Sequence, residues 1–378
     1  MNSECKQKRT NAGSLILFAL CVGVGVGIYL LLPKYFNASP YKTAPSLIIL
    51  ITIAIFSFFL SIILHEVGHL VFGLITGYKF SSFRIGALML VSLSGKMKIK
   101  LHTIPGTAGQ CLLSPPDLKD GKMPHVLYNL GGVIFNVVFA ALFGTLGLIY
   151  KEYLFLATTF IALAVINFVL GTANGIPFAT NTVNNDGMNA LSLNKNPSAL
   201  RALWIQLKIN SETANGKRLS EMPCEWFALP DKSELNNSLT ASIISFRISR
   251  LMDEHRFAEA LELITEYKNM PMLPEIYRTL MALDEISIRA IQGDDYTTVS
   301  SVFTKNVHTL LTKMKSFPAV IRTKYIFALL VENNITNAVS VKLSLEKIKK
   351  TYPYASDIAS EKEIMTIAEN TLSDCEVE

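Results

Sequence analysis

The sequence predicts an all-α polytopic membrane protein of about four transmembrane helices, with a small membrane-associated β-hairpin and a C-terminal soluble helical array. Three observations lead there. Long apolar runs fill the first half of the chain, and its few charges cluster between them. Residues 1–190 carry 13 Lys and Arg against 6 Asp and Glu, whereas residues 191–378 carry 22 and 24 in the spacing of amphipathic helices. Finally, His65-Glu66-Val-Gly-His69 lies inside an apolar run where Glu66 is the only acidic or basic side chain, its two histidines apart, between Lys42 and Lys79. An ionisable group at membrane depth persists where it is paired, liganded or functional.

A bilayer needs about 20 apolar residues to cross. The runs Ser14–Leu32, Ser46–Thr76, Val126–Tyr150 and Tyr153–Thr172 meet that length. The first follows Lys6, Lys8 and Arg9 and lacks a small-residue cleavage site, so it reads as a retained helix rather than a signal peptide. Gly23, Gly25 and Gly27 within it have no strand-turn-helix context and read as small residues for helix packing, as do Gly73 and Gly77 after His69.

Basic residues favour the cytoplasmic side. Lys6, Lys8, Arg9 and the loop from Gly77 to Met123, with Lys79, Arg84, Lys96, Lys98, Lys100, Lys119 and Lys122, are expected there, which places both termini in the cytoplasm. Within that loop Lys96 to His102 alternates polar and apolar residues at period two, the pattern of a strand, and Phe83 to Leu93 is its expected hairpin partner.

After residue 190 the chain reads as helices. Asn196 caps a first helix at Pro197, and further helices are expected over 238–252, 255–268, 273–291, 296–315, 318–333, 336–351 and 357–373. Residues 256–263 faintly resemble a tetratricopeptide helix, but no repeat of fixed period appears, so 191–378 is expected as an irregular, possibly tetratricopeptide-like, cytoplasmic helical domain behind a transmembrane domain over 1–190. That domain could dock a protein partner, or simply stabilise the membrane core.

Composition excludes several classes. The net charge of +5 arises in the membrane half, and no basic stripe with interleaved aromatics suggests nucleic acid. Cys5, Cys21, Cys111, Cys224 and Cys375 are odd in number and far apart, so neither a disulfide framework nor a cysteine metal site is expected.

The H-E-x-x-H spacing carries chemistry. Residues four apart share one face of a helix, so His65 and His69 can direct imidazole nitrogens at one metal ion with Glu66 beside it as a base. Catalytic zinc takes three protein ligands and leaves a position for water. The chain is free of charge from Tyr153 to Asn185, which makes Asp186 the candidate third ligand; in isolation Asp186-Gly187 would read as a turn beyond the last span. His102, His125, His255 and His308 lack comparable partners and read as surface or interface residues.

These residues resemble the site-2 protease family of intramembrane zinc metalloproteases over roughly residues 46–190. His65-Glu66-Val-Gly-His69 matches its zinc helix, Asn174, Pro177, Asp186 and Gly187 resemble its N-x-x-P and D-G elements, and Gly132 and Asn136 resemble its G-P-x-x-N element. Val133 stands where the family has proline, Asn185 where leucine is common, and the interval from Asn174 to Asp186 is longer than usual, as in a bacterial peptide-processing branch.

The resemblance implies one catalytic Zn2+ held by His65, His69 and Asp186, Glu66 as general base, and Asn136 and Asn174 as substrate-binding residues. It also implies a membrane-spanning or membrane-proximal peptide as substrate, a location in the bacterial cell membrane, and substrate presentation by the hairpin near Gly109-Gln110-Cys111. A proteolytically silent relative that binds a membrane peptide or partner protein is the alternative. A metal transporter would need further intramembrane carboxylates or histidines along a path, and the runs hold none beyond this cluster, apart from His125 at an entrance.

Overall fold

The computed structural model describes residues 44–104, 107–177 and 184–375. The expected first span over 14–32, with its three glycines, lies outside these residues. Chain contacts divide the molecule into two compact units. One holds residues 44–79, 108–111 and 124–195; the other holds 80–107, 112–123 and the chain from Asn196 onward.

The first unit is built on α1 (Ala44–Ile75), α2 (Val126–Ile149), α3 (Leu154–Gly175) and the short α4 (Asp186–Ser192). Within them Ile48–Ile75, Val126–Ile149 and Leu154–Gly175 are 28, 24 and 22 residues of apolar helix, long enough to cross a membrane. Their outward faces are apolar: Ile51, Phe56, Val138, Leu148 and Phe155 are all exposed. Polar side chains turn inward instead. Ser57, Ser61, His65 and His69, at four-residue steps along α1, form one buried stripe.

Glycines set the approach of α1 to α2. A Cβ on Gly68 would collide with the carbonyl oxygen of Gly131, and one on Gly131 with that of Gly68. Gly77, expected as another packing residue, does something different. It takes φ +91° with no heavy atom near the position of a Cβ, while Tyr78 N donates to Gly73 O (3.0 Å) and Gly77 N to Leu74 O (3.1 Å). This is the left-handed cap that ends a helix.

Between α1 and α2 the chain forms strands β1 (Lys79–Ile85), β2 (Leu88–Leu93), β3 (Lys96–Leu101) and β4 (Gly109–Ser114), in the sheet order β3-β2-β1-β4, and all but Lys79 and Gly109–Cys111 of these belong to the second unit. The expected two-stranded hairpin is therefore a four-stranded sheet. Gly86, at φ +57°, turns the chain between Ile85 and Leu88, so the expected partner strand over 83–93 is divided between β1 and β2. Ser94 (φ +48°) and Gly95 (φ +78°) then supply the two left-handed residues of a tight turn into β3. In β2 and β3 the pairs Leu88 with Leu101 and Leu90 with Ile99 share one face, and Met89 with Lys100 and Val91 with Lys98 share the other. Met89 and Val91 are fully buried, against Ala214.

The rest of the unit is helical. It comprises α5 (Pro197–Ala214), α6 (Ser238–Asp253), α7 (Phe257–Tyr267), α8 (Glu275–Ile291), α9 (Tyr296–Ser300), α10 (Lys305–Lys313), α11 (Pro318–Ile326), α12 (Ile335–Ile348) and α13 (Ala355–Cys375). Asn196 caps α5 by accepting from Ala199 N at 3.0 Å. The single helix expected over 296–315 is broken because two caps compete for it: Asp295 accepts from Thr298 N, and Thr304 accepts from Val307 N. A π-helical turn, Phe327–Val331, continues α11. Ile248, Ile264, Met281, Ile288 and Ile364 anchor the largest core, where each buried side chain of that size contributes about 1.5–3 kcal/mol of transfer free energy.

Candidate metal centre

The inward stripe of α1 meets one residue from each neighbouring helix. From α2, Asn136 directs Oδ1 to His65 Nδ1 at 2.6 Å, and Gly132 leaves the space that the His65 ring fills, since a Cβ there would overlap it. From α3, Asn167 accepts from Asn136 Nδ2 (2.7 Å) and donates through Nδ2 to Ser61 Oγ (2.7 Å). Asn136 Nδ2 also reaches Ser61 O at 3.3 Å, so its amide nitrogen is directed at acceptors and its oxygen is fixed toward the imidazole. The other imidazole is held by backbone. His69 Nδ1 lies 2.8 Å from the carbonyl oxygen of Tyr128.

These contacts decide the tautomers. A carbonyl oxygen can only accept, so both Nδ1 atoms carry a proton and donate it, and in the neutral rings both Nε2 atoms present a lone pair. The lone pairs converge, with His65 Nε2 3.1 Å from His69 Nε2.

Asp186 completes the group at the start of α4. Its Oδ2 lies 3.2 Å from His65 Nε2 and 3.4 Å from His69 Nε2, is buried, and has no hydrogen-bond partner among the described residues.

Three electron-pair donors at 3.1–3.4 Å repel one another unless a cation lies among them. The spacing fits a metal. Bonds of about 2.0–2.1 Å to nitrogen and oxygen in a tetrahedral site separate the ligand atoms by roughly 3.3 Å. His65, His69 and Asp186 are the one metal-capable group found among the described residues.

The long interval before Asp186 is anchored at its end. Asn185 caps α4 by accepting from Met188 N (3.0 Å), and its Nδ2 donates to Ala173 O (3.0 Å) and Ile176 O (2.6 Å) at the end of α3. Gly187 lies so close to Gly175 that a Cβ would strike the Gly175 carbonyl. Asn185 thus clamps the carboxylate's helix in place.

The remaining expected residues fall as follows. Glu66 is buried beside His65, with the Gly109 backbone against its carboxylate: a Cβ on Gly109 would come within 2.6 Å of Oε1. Asn136 is 0% exposed and occupied by His65, Asn167 and Ser61, which makes it a positioning residue for the imidazole. Asn174 Nδ2 donates to Leu170 O within its own helix. His125, expected at a surface or an interface, is buried.

Asn167 and Ser61 complete the hydrogen-bonded network behind His65, and sequence reasoning misses them. Their signal is nevertheless present, because Asn167 is a lone amide in the middle of an apolar helix and Ser61 precedes His65 by one helical turn. Compared with known proteins, the chain gives no significant match to any family model, curated sequence or solved structure.

Proposed function

We propose that this chain is an intramembrane zinc metalloprotease of the site-2 protease type, cutting peptide bonds in or next to the bilayer. The observation that carries the reading is the convergence of His65 Nε2, His69 Nε2 and Asp186 Oδ2 within 3.1–3.4 Å on apolar helices, with Glu66 adjacent. His65, His69 and Asp186 would hold the ion, and Asn136 and the Tyr128 carbonyl would keep both imidazoles in the ligating tautomer. When bound, zinc would supply Lewis acidity toward a water molecule and the scissile carbonyl.

Glu66 would take a proton from that water and return it to the leaving amine. It lies beside the three converging ligands and is not one of them. The peptide must be extended to be cut, since a helix hides its backbone in internal hydrogen bonds. Strand β4 suits that need: it is one edge of the sheet, and its first residue, Gly109, lies against the Glu66 carboxylate, as strand addition of a peptide beside the base requires.

The test is Glu66→Gln in the membranes of an expressing cell, read by metal content and by the membrane peptides that accumulate. The proposal expects metal to remain and one or more uncut peptides to build up relative to the native chain. Unchanged peptide profiles with metal bound in both would instead favour a silent binding protein.

A further inference from the structure

The second unit encloses a cavity of about 310 Å³ between α5, α6, α8, α11 and the start of α13. That volume lies at the lower end of small-molecule sites, which span about 300–1,000 Å³. Four carboxylates line it, Asp253, Asp284, Asp357 and Glu361, together with two guanidiniums, Arg218 and Arg322. The rings of Phe246 and Phe317 form apolar wall.

The positive charge is already divided. Arg322, 1% exposed, contacts Asp284 Oδ1 at 2.8 Å and Glu361 Oε2 at 3.1 Å. Arg218 is shared between Asp253 (2.8 Å) and Glu363 (2.7 Å). Asp357 accepts only the Tyr352 hydroxyl, at 3.0 Å, among the described residues. His102, also on the wall, adds no charge at neutral pH, because burial and then the Arg84 guanidinium push it down to about 4.

A second feature is independent of the acids. Ser356 lines the cavity at 7% exposure, and its Oγ has no hydrogen-bond partner among the described residues. A buried hydroxyl left unsatisfied is destabilising, so a ligand atom able to bond it would be favoured.

We infer that this cavity binds a small organic cation: a primary ammonium on an aliphatic or aromatic body, directed at Asp357 and Glu361, with Ser356 Oγ as a further acceptor. The two guanidiniums and the aromatic wall disfavour a bare divalent ion, which would want oxygen ligands alone. Burial pushes Asp357 up to about 6 and Glu361 up to about 7, Arg322 offsetting the rise at Glu361 only in part, as expected for carboxylates that lack a full complement of cations. Helix α13 offers Asp357 some compensation, since it sits in the first turn.

The same ammonium chemistry could come from a free diamine or from the basic residue of a short peptide. Titration calorimetry on the full chain in a nonionic detergent at pH 7.5 distinguishes them, with cadaverine and the dipeptide Lys-Phe as probes and glutarate and Ca2+ as controls. Saturable binding of at least one ammonium is expected, weakened about tenfold or more by Asp357→Asn and by Glu361→Gln, and the tighter probe identifies the source. Both substitutions are isosteric, and a thermal melt of each without ligand confirms that the variant is folded. No binding of either ammonium, preference for glutarate or Ca2+, or undiminished binding by both folded variants would overturn the assignment.

Discussion

Each unit of this protein buries a cluster of ionisable side chains, and the two clusters differ in the charge that the chain itself supplies to them. In the C-terminal unit Asp284 and Glu361 face the guanidinium of Arg322, a cation the chain itself supplies. Around His65, His69 and Asp186 the described neighbours are the Asn136 amide, the Tyr128 carbonyl and the Glu66 carboxylate, none of them a cation, and among the described residues Asp186 Oδ2 faces the two imidazole nitrogens. The difference is instructive. A buried cluster that carries guanidiniums of its own, even where carboxylates outnumber them as around Arg322, is balanced in part from within, whereas one built entirely of electron-pair donors has no cation of its own.

The contrast can be broken most severely at the ligands. His65→Ala should remove the metal and take proteolysis to background, measured by metal content and by cleavage of a co-expressed single-span protein. Glu66→Gln should lower turnover by roughly 10²–10⁴-fold with metal retained, because it removes the base and leaves the ligands. In the other unit, Arg322→Met should destabilise by about 3–5 kcal/mol, read by denaturant unfolding, since it strands two buried carboxylates. Asn136→Ala should reduce metal affinity or turnover by about 10–100-fold without abolishing either, the effect expected of a residue that holds a ligand in place.

The smallest effect is a pH dependence. Glu361 is raised to about 7 in the fold, above its ordinary carboxylate value of 4.5, so the folded chain keeps this proton longer than the unfolded chain does as pH rises. Its contribution to stability is therefore fully present below about pH 4.5 and is lost as pH climbs through 7. The Tm of the native chain relative to Glu361→Gln should fall across that interval. A flat difference would show that Glu361 titrates normally and that Arg322 offsets its burial in full.

Local spacing makes part of this legible in the amino-acid sequence alone. Two histidines one turn apart fix their own geometry, and Asn196 followed by Pro197 announces a helix start that the structure places at that position. What depends on contacts distant in sequence is harder to read. Asn136 is expected from its motif to hold substrate, yet it lies behind His65, joined to Asn167 and Ser61, residues 31 and 75 positions away. Asp186 can be named as the lone acid, but its delivery depends on Asn185 reaching back to Ala173 and Ile176.

Backbone conformation is equally hidden from the residue pattern. Gly77 and Gly86 look alike as glycines in a sequence of apolar residues, and only their positive φ values reveal a helix cap at one and a strand break at the other.

The most direct test is the metal content of the full chain purified in detergent without chelators, native and His69→Ala side by side, each checked for folding by its thermal melt. The account requires one zinc per native chain and none in the folded variant. A well-folded native sample without stoichiometric metal, or a variant that keeps it, would contradict the account.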